Sequence, residues 1–224
     1  MEQAIHRRHA SVGAPPAENR CTGWILRARR RTVAWMRRIL LARHGETAWN
    51  ALGRLQGHTD IPLNDAGREQ ARALAAGFRD AGITAVWTSD LVRARQTGEI
   101  VASALGLDAP AVDPELRERR FGVFEGLTRH ECATQHPEAW QAWQAQTGTP
   151  PGGEPRADAA ARLAHALGRI AATGGGPALV ISHGAVMRLW LMELLGATVP
   201  LVANGTTYVV EHDGAGARAH LLAP

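Results

Sequence analysis

The sequence predicts an α/β fold in which helices cover both faces of a sheet. Three observations carry that expectation. From Met36 onward, short apolar runs of strand length alternate with longer segments of helical period. Gly- and Pro-rich breakers such as "GTPPGGEP" separate the segments. Two of the apolar runs, "ILLAR" and "ALVIS", stop abruptly at a His-Gly pair.

Taken in order, "RRILLAR" is the first strand, ending at Arg43. "NDAGREQARALAAGFRDAG" is a helix capped by Asn64 or Asp65 and stopped at Gly82. "ITAVWTS" is the second strand, and "SDLVRARQTGEIVASALG" a helix capped by Ser89 or Asp90 and ended by Gly106. A short strand is expected near "APAVDPEL", followed by the Gly-rich "RERRFGVFEGLT". Residues 127–147 read as one or two helices with exposed aromatics, Trp140 and Trp143, which suggest an apolar rim; packing of this segment onto the body is the favoured alternative for both. "ADAAARLAHALGRIAAT" is a helix, "GPALVIS" a strand and "AVMRLWLMELLG" a helix. "TTYVVEH" and "ARAHLLA" form a closing hairpin around "DGAG".

Composition narrows the function classes. Apolar residues make up 45% and charged residues 21% of the 224, enough for a full core. The isoelectric point near 10.3 suggests a nucleic-acid binder, but the charge is unevenly placed. Residues 1–35 carry seven arginines and two acids, whereas the rest carries eighteen arginines and nineteen acids. The body is therefore near neutral, and neither a nucleic-acid nor a membrane partner is expected. Residues 1–35 read as a basic, unstructured extension without an apolar signal core. Met36, just before the first strand, is a candidate natural start, and residues 36–224 form the domain. The most apolar long window, Ala185 to Ala203, contains Arg188, Glu193 and Pro200 and is a poor membrane span. Cys21 and Cys132 read as free thiols in a reducing cytoplasm.

The chemistry concentrates at the strand ends. Parallel strands in an open α/β sheet deliver their carboxyl ends to one crevice. His44-Gly45 and His183-Gly184 are therefore expected to meet, with glycine allowing a ligand close to the backbone. Zinc would need further ligands at metal spacing, and no HxH, HExxH or CxxC is present. A serine hydrolase would need a GxSxG elbow, also missing. Arg43 beside His44, and Arg93 in the first turns of a helix, suit a clamp on a dianion, because guanidinium forks match phosphate. Glu118 stands among Arg117, Arg119 and Arg120, where an ordinary ion pair and a functional acid are both open readings.

Together "LARHGETAWN", "RLQGHTDIPLNDAGREQA", "TSDLVRARQT", "LRERRFGVFEG", "PGGE" and "VISHGAVMR" resemble, in order and spacing, the histidine phosphatase superfamily. The resemblance runs from about Arg37 to near residue 211. It implies a phosphoglycerate mutase-like, three-layer α/β sandwich with a mostly parallel mixed sheet, and a phosphohistidine mechanism. By resemblance His44 is the nucleophile, Arg43 and Arg93 clamp phosphate, and His183 binds the phosphoryl oxygens. Asn50, Gln56, Gly57 and Gly184 line the phosphate site, and Glu118 protonates the leaving oxygen. No metal or other cofactor is implied.

Within that family the segment from Phe121 to Gly153 would be a lid. It is short and offers only Arg129, where mutases carry a longer insertion with an arginine pair. The expectation is a cytoplasmic phosphatase of small phosphorylated metabolites, of the broad-specificity or α-ribazole phosphatase-like kind; a homodimer is allowed. A cofactor-dependent phosphoglycerate mutase is the alternative, and a non-catalytic phospho-ligand binder a further one. Pro155, where the family often has Ser after "PGGE", puts substrate selection in question.

Overall fold

The computed structural model describes residues 38–212 and 216–222. The extension of residues 1–35 with Cys21, the candidate start at Met36 and most of the "DGAG" turn lie outside them. Strand β1 (Ile39–Arg43) lies inside a six-stranded sheet with β2 (Ala85–Thr88), β3 (Ala111–Val112), β4 (Ala178–Ser182), β5 (Thr207–His212) and β6 (Ala217–Leu221). The order is β3-β2-β4-β1-β5-β6. The first four strands run parallel, and β5 is antiparallel to both neighbours, so the sheet is mixed and mostly parallel as expected.

The three layers follow from side-chain alternation along the strands. Ile39, Leu41, Ala178 and Val180 face one way, into a core with Leu163, Leu167 and Ile170 of helix α6 (Arg156–Ala172) and Val186, Met187 and Leu191 of α7 (Gly184–Leu195). Leu40, Ala42, Leu179 and Ile181 face the other way. They meet Ala75 of α2 (Asp65–Gly77) and Ala94, Val101 and Ala102 of α3 (Val92–Leu105). Each large aliphatic side chain so withdrawn from water contributes about 1.5–3 kcal/mol. A four-residue helix, α1 (Ala48–Ala51), follows β1.

Two helix boundaries differ from the sequence reading. Helix α2 stops at Gly77, not Gly82, because Phe78 turns into the core at 5% exposure; Gly82, at φ 64°, then bends the chain towards β2. Helix α3 starts at Val92 with Leu91 as its cap residue, and neither Ser89 nor Asp90 caps it. Both side chains are committed elsewhere: Ser89 to His183, and Asp90 to Arg117 at 2.7 Å.

The segment from Phe121 to Gly153 leaves and rejoins the body at a single antiparallel bridge between those two residues. It holds α4 (Arg129–Gln135) and α5 (Pro137–Gln144) around a small core of Phe121, Phe124, Cys132 and Trp140. Here the expectation of exposed aromatics is corrected. Trp140 is buried and Trp143 half-buried, because both pack edge-on against Phe124, at ring distances of 5.6 and 5.8 Å.

Two glycines separate backbone crowding from helix propensity. A Cβ on Gly67 would lie 2.0 Å from the Glu46 carbonyl oxygen, whereas a Cβ on Gly77 would meet nothing within 4 Å. Gly67→Ala is expected to destabilise by about 1–3 kcal/mol and Gly77→Ala to stabilise by about 0.5 kcal/mol. Urea unfolding midpoints of the two variants should move in opposite directions.

Candidate active site

The parallel register of β1 and β4 sets Arg43 opposite Ser182, so the next residues of both strands, His44 and His183, emerge side by side. Their rings lie 5.0 Å apart, and both are buried. His44 Nδ1 is 2.6 Å from the Gly45 carbonyl oxygen. A carbonyl only accepts, so this nitrogen carries the proton and Nε2 keeps its lone pair. His183 takes the opposite tautomer. Its Nδ1 accepts from Arg93 Nε at 3.3 Å, so Nε2 holds the proton and donates to Ser89 Oγ at 2.6 Å. Burial, then the charges of Arg93 and Arg43, holds His44 well below 6.5. Burial and Arg93 act likewise on His183. Both imidazoles are uncharged at neutral pH.

Arg93 is only 1% exposed. Its Nη2 donates to the Gly57 carbonyl at 2.7 Å and its Nη1 to that of Thr59 at 2.9 Å. Burial lowers it to about 10, still charged at neutral pH. The loop that receives it is tied down by Glu125, which accepts from the backbone of His58, Thr59 and Phe121 and from Thr59 Oγ1. Gly57 has φ 52°, and a Cβ there would strike the Glu125 carboxylate. Arg43 donates from Nη1 to the Val202 carbonyl at 2.7 Å, while its buried Nε has no partner. Gly184 lets Arg43 lie across the start of α7: a Cβ there would sit 3.1 Å from Arg43 Nε. Arg95 is exposed and reaches only Glu99, apart from this cluster.

Gly45 has a different reason from the one expected. A Cβ would stand 2.3 Å from the Gly67 carbonyl oxygen, so it is the protein's own backbone, before any ligand, that requires glycine. The Gly45 N–H donates to Thr97 Oγ1, which in turn donates to the Arg93 carbonyl. Thr97 thus ties the His44 loop to the Arg93 helix.

Glu118 makes no ion pair with its arginine neighbours. Its Oε1 accepts from Arg119 N and Val186 N, both at 2.8 Å, and its Oε2 from Ala185 N at 3.0 Å. It therefore sits at the positive end of α7, the helix that follows His183. Asn50 caps α1 through Thr47; its Oδ1 accepts from Thr47 N at 3.2 Å and Asn204 Nδ2 at 3.4 Å, leaving its amide nitrogen for a ligand. Gln56 is buried, with Oε1 unpartnered.

Arg43, His44, Asn50, Gln56, Gly57, Arg93, Glu118 and Gly184 all line one cavity of about 600 Å³. His183 is not on its wall; it backs His44 and Arg93 from within. Sequence reasoning missed Asn204, whose Nδ2 donates to the His44 carbonyl at 2.9 Å, and the Ser89 partner of His183. It also missed four arginines on the cavity wall outside the phosphate clamp and the lid: Arg54, Arg119, Arg156 and Arg188. Each stands in or beside a quoted motif, Arg119 next to Glu118, Arg54 two residues before Gln56, Arg156 two after "PGGE" and Arg188 at the end of "VISHGAVMR", but only the fold shows that they face the cavity. Among the described residues no group of three or more His, Cys, Asp or Glu is placed to hold a metal ion, and no helix is long and apolar enough to cross a membrane.

A buried imidazole with an unprotonated Nε2 beside the guanidiniums of Arg43 and Arg93, with one carboxyl on the same cavity, suits an enzyme of the phosphatase or mutase class. The chain belongs to the histidine phosphatase superfamily (branch 1), whose profile matches residues 39–223. It is 40% identical over 166 residues to a probable phosphoglycerate mutase of Yersinia enterocolitica, covering 72% of this chain and 76% of that one. It is 39% identical over 155 residues to the phosphoglycerate mutase-like protein 4 of Arabidopsis thaliana, covering 67% of each. A mycobacterial glucosyl-3-phosphoglycerate phosphatase solved with VO3 superposes with a TM-score of 0.74 at 30% identity, over 84% of this chain and 98% of that one. The α-ribazole phosphatase of Shigella flexneri does so with a TM-score of 0.71 at 28% identity, over 83% and 95%.

The two depressed imidazoles set a pH dependence of stability. Below 6.5 the unfolded chain takes up protons that the folded chain refuses, so stability falls with falling pH; above 6.5 the pair adds no slope. The slope is at most about 1.4 kcal/mol per pH unit for each ring. Urea midpoints taken from about pH 7.5 to about 5.5 should fall in the wild type and flatten in the His44→Gln, His183→Gln double variant.

Proposed function

We propose that this enzyme hydrolyses small phosphomonoesters through a phosphohistidine on His44. The observation that carries the reading is the His44 Nδ1–H bond to the Gly45 carbonyl, which leaves the Nε2 lone pair free on a ring that lines the cavity beside Arg43 and Arg93. Neutral imidazole is a competent nucleophile. Attack by Nε2 on phosphorus breaks the P–O ester bond, and the departing oxygen takes its electron pair and a proton. Glu118 is the sole carboxyl on the cavity wall among the described residues and the group assigned to supply that proton. Water then attacks the phosphorus of the phosphohistidine and the P–N bond breaks. The water proton passes to Glu118, the bond electrons return to Nε2, and phosphate leaves. Negative charge on the transferring oxygens is met by the two guanidiniums, with His183 holding Arg93 from behind.

Two features favour water as the final acceptor. The lid is short, and the cavity mouth carries exposed Arg129, Gln144 and Gln146. The phosphatase names among the structural neighbours agree. A mutase is the second reading, favoured by the named relatives and by wall arginines that the lid itself lacks.

His44→Ala is expected to cut p-nitrophenyl phosphate turnover by about a thousandfold or more without loss of the fold by circular dichroism; retained turnover would remove the nucleophile. An alkaline quench of the wild type should trap phosphate on nitrogen, and chelator should leave the rate intact. Glu118→Gln is expected to slow alkyl phosphates by about 10²–10⁴ but p-nitrophenyl phosphate much less, because nitrophenolate departs without a proton. Equal slowing of both would exclude the acid role.

A further inference from the structure

Ser89 and His183 are both fully buried and neither is on the cavity wall, yet they form a chain that ends on Arg93, which is. The Ser89 hydroxyl lies 2.6 Å from His183 Nε2, and His183 Nδ1 faces Arg93 Nε at 3.3 Å. A serine hydroxyl against a histidine nitrogen is also the start of a hydrolase dyad, in which the imidazole takes the hydroxyl proton. That reading fails here. Arg93 Nε only donates, so His183 Nδ1 is the acceptor and Nε2 carries the ring proton. With its proton on the Ser89 side, the ring cannot accept one from Ser89. The hydroxyl oxygen is the acceptor, and it takes a second, longer bond of 3.4 Å from Leu91 N.

The consequence falls on the guanidinium. Arginine presents its N–H donors in a rigid fork. In Arg93 Nε–H goes to His183, one Nη1–H to Thr59 and one Nη2–H to Gly57, so one hydrogen on each Nη is left for a ligand in the cavity. Three acceptors therefore set the pose of those free N–H groups. Two are backbone carbonyls of one loop. The third is a ring nitrogen that accepts only while the ring proton stays on Nε2. Among the described residues Ser89 Oγ is the one hydrogen-bond partner of that Nε2. Shifting the proton to Nδ1 would set donor against donor in a fully buried place, where an unpaired polar group is costly.

We propose that Ser89 is a positioning residue for phosphoryl transfer: by accepting the Nε2 proton it keeps His183 in the tautomer that holds Arg93, and so aims the free Arg93 N–H groups at the phosphoryl group. The inference rests on the phosphoryl-transfer reading of His44 and assigns one more residue to it. Ser89 itself touches no reacting atom. Without its hydroxyl, His183 Nε2–H has no acceptor, the other tautomer becomes the way to relieve it, and Arg93 loses one of its three anchors.

Nitrogen NMR of the full-length protein, labelled on its histidine rings, reads the tautomer; the His183→Leu variant assigns the ring by the signals it removes. At about pH 7.5 wild-type His183 should carry its proton on Nε2, and Ser89→Ala should move it, wholly or in part, to Nδ1. In the same variant kcat/KM for p-nitrophenyl phosphate should fall by about 10–100-fold, the worth of a hydrogen bond to a charged group, and the affinity for inorganic phosphate, read by calorimetry, should fall with it. In the His183→Leu background, where no ring remains to be held, Ser89→Ala should change both by less than about twofold. An unchanged Nε2–H tautomer in folded Ser89→Ala overturns the proposal. So does a shifted tautomer with kcat/KM and phosphate affinity within about twofold of wild type. Equal costs of Ser89→Ala with and without His183 overturn it as well, being what a hydroxyl that merely shapes the turn before α3 would show. If Ser89→Ala does not fold by circular dichroism, Ser89→Cys, whose thiol accepts only weakly, is read in the same way. A wild type that turns over no phosphomonoester counts instead against the His44 reading, and the tautomer and phosphate affinity then still decide whether Ser89 holds Arg93.

Discussion

The site depends on the pairing of β1 with β4. Because the strands are parallel and Arg43 lies opposite Ser182, two imidazoles leave the sheet at the same height. The His44 N–H continues the ladder by donating to the Ser182 carbonyl at 3.0 Å, so the spacing of the rings is set by backbone geometry. Ser182 itself, fully buried, donates its hydroxyl to the Leu116 carbonyl and anchors the segment that leads to Glu118. A slip of one residue would reverse the facing of every side chain on β1 and break both cores at once. Hydrophobic patterning therefore protects the catalytic geometry.

Around that pair the chain holds two cations with no carboxylate of the described residues in salt-bridge contact and one buried carboxyl, Glu118, on the same cavity. Arg43 and Arg93 donate to the backbone carbonyls of Val202, Gly57 and Thr59, which lowers the desolvation cost without an ion pair, and Nε of Arg43 is left over. The same field, with burial, strips the histidines of protons. A dianion entering the cavity meets a preorganised potential, with little left to reorganise.

Much of this was legible in the chain. The order of strands and helices, the two His-Gly ends and Arg93 on its helix all follow from apolar runs, breakers and motif spacing. What stayed hidden depends on tertiary contact. Ser89 looks like a helix cap, and only the approach of His183 redirects it. Gly45 looks like room for a ligand, and only the crossing of Gly67 shows the backbone it clears. Trp140 and Trp143 look exposed in a polar helix, until Phe124 is found beneath them. Arg156 and Arg188 stand at the edges of quoted motifs, on helices α6 and α7, and no period in the sequence points them at the cavity.

The bridge between Phe121 and Gly153 has a wider consequence. An excursion whose entrance and exit are pinned together, and which carries its own miniature core, behaves as an exchangeable cassette. Its outer part, α4 and α5 beyond the Glu125 that holds the loop under Arg93, can be resized with little strain on the sheet, since loop-closure entropy grows only slowly with length. Arg119 and Arg156 stand just outside its two ends, on the chassis. Evolution, or an engineer, could thus reshape the mouth of the cavity while leaving the pairing of β1 with β4 intact.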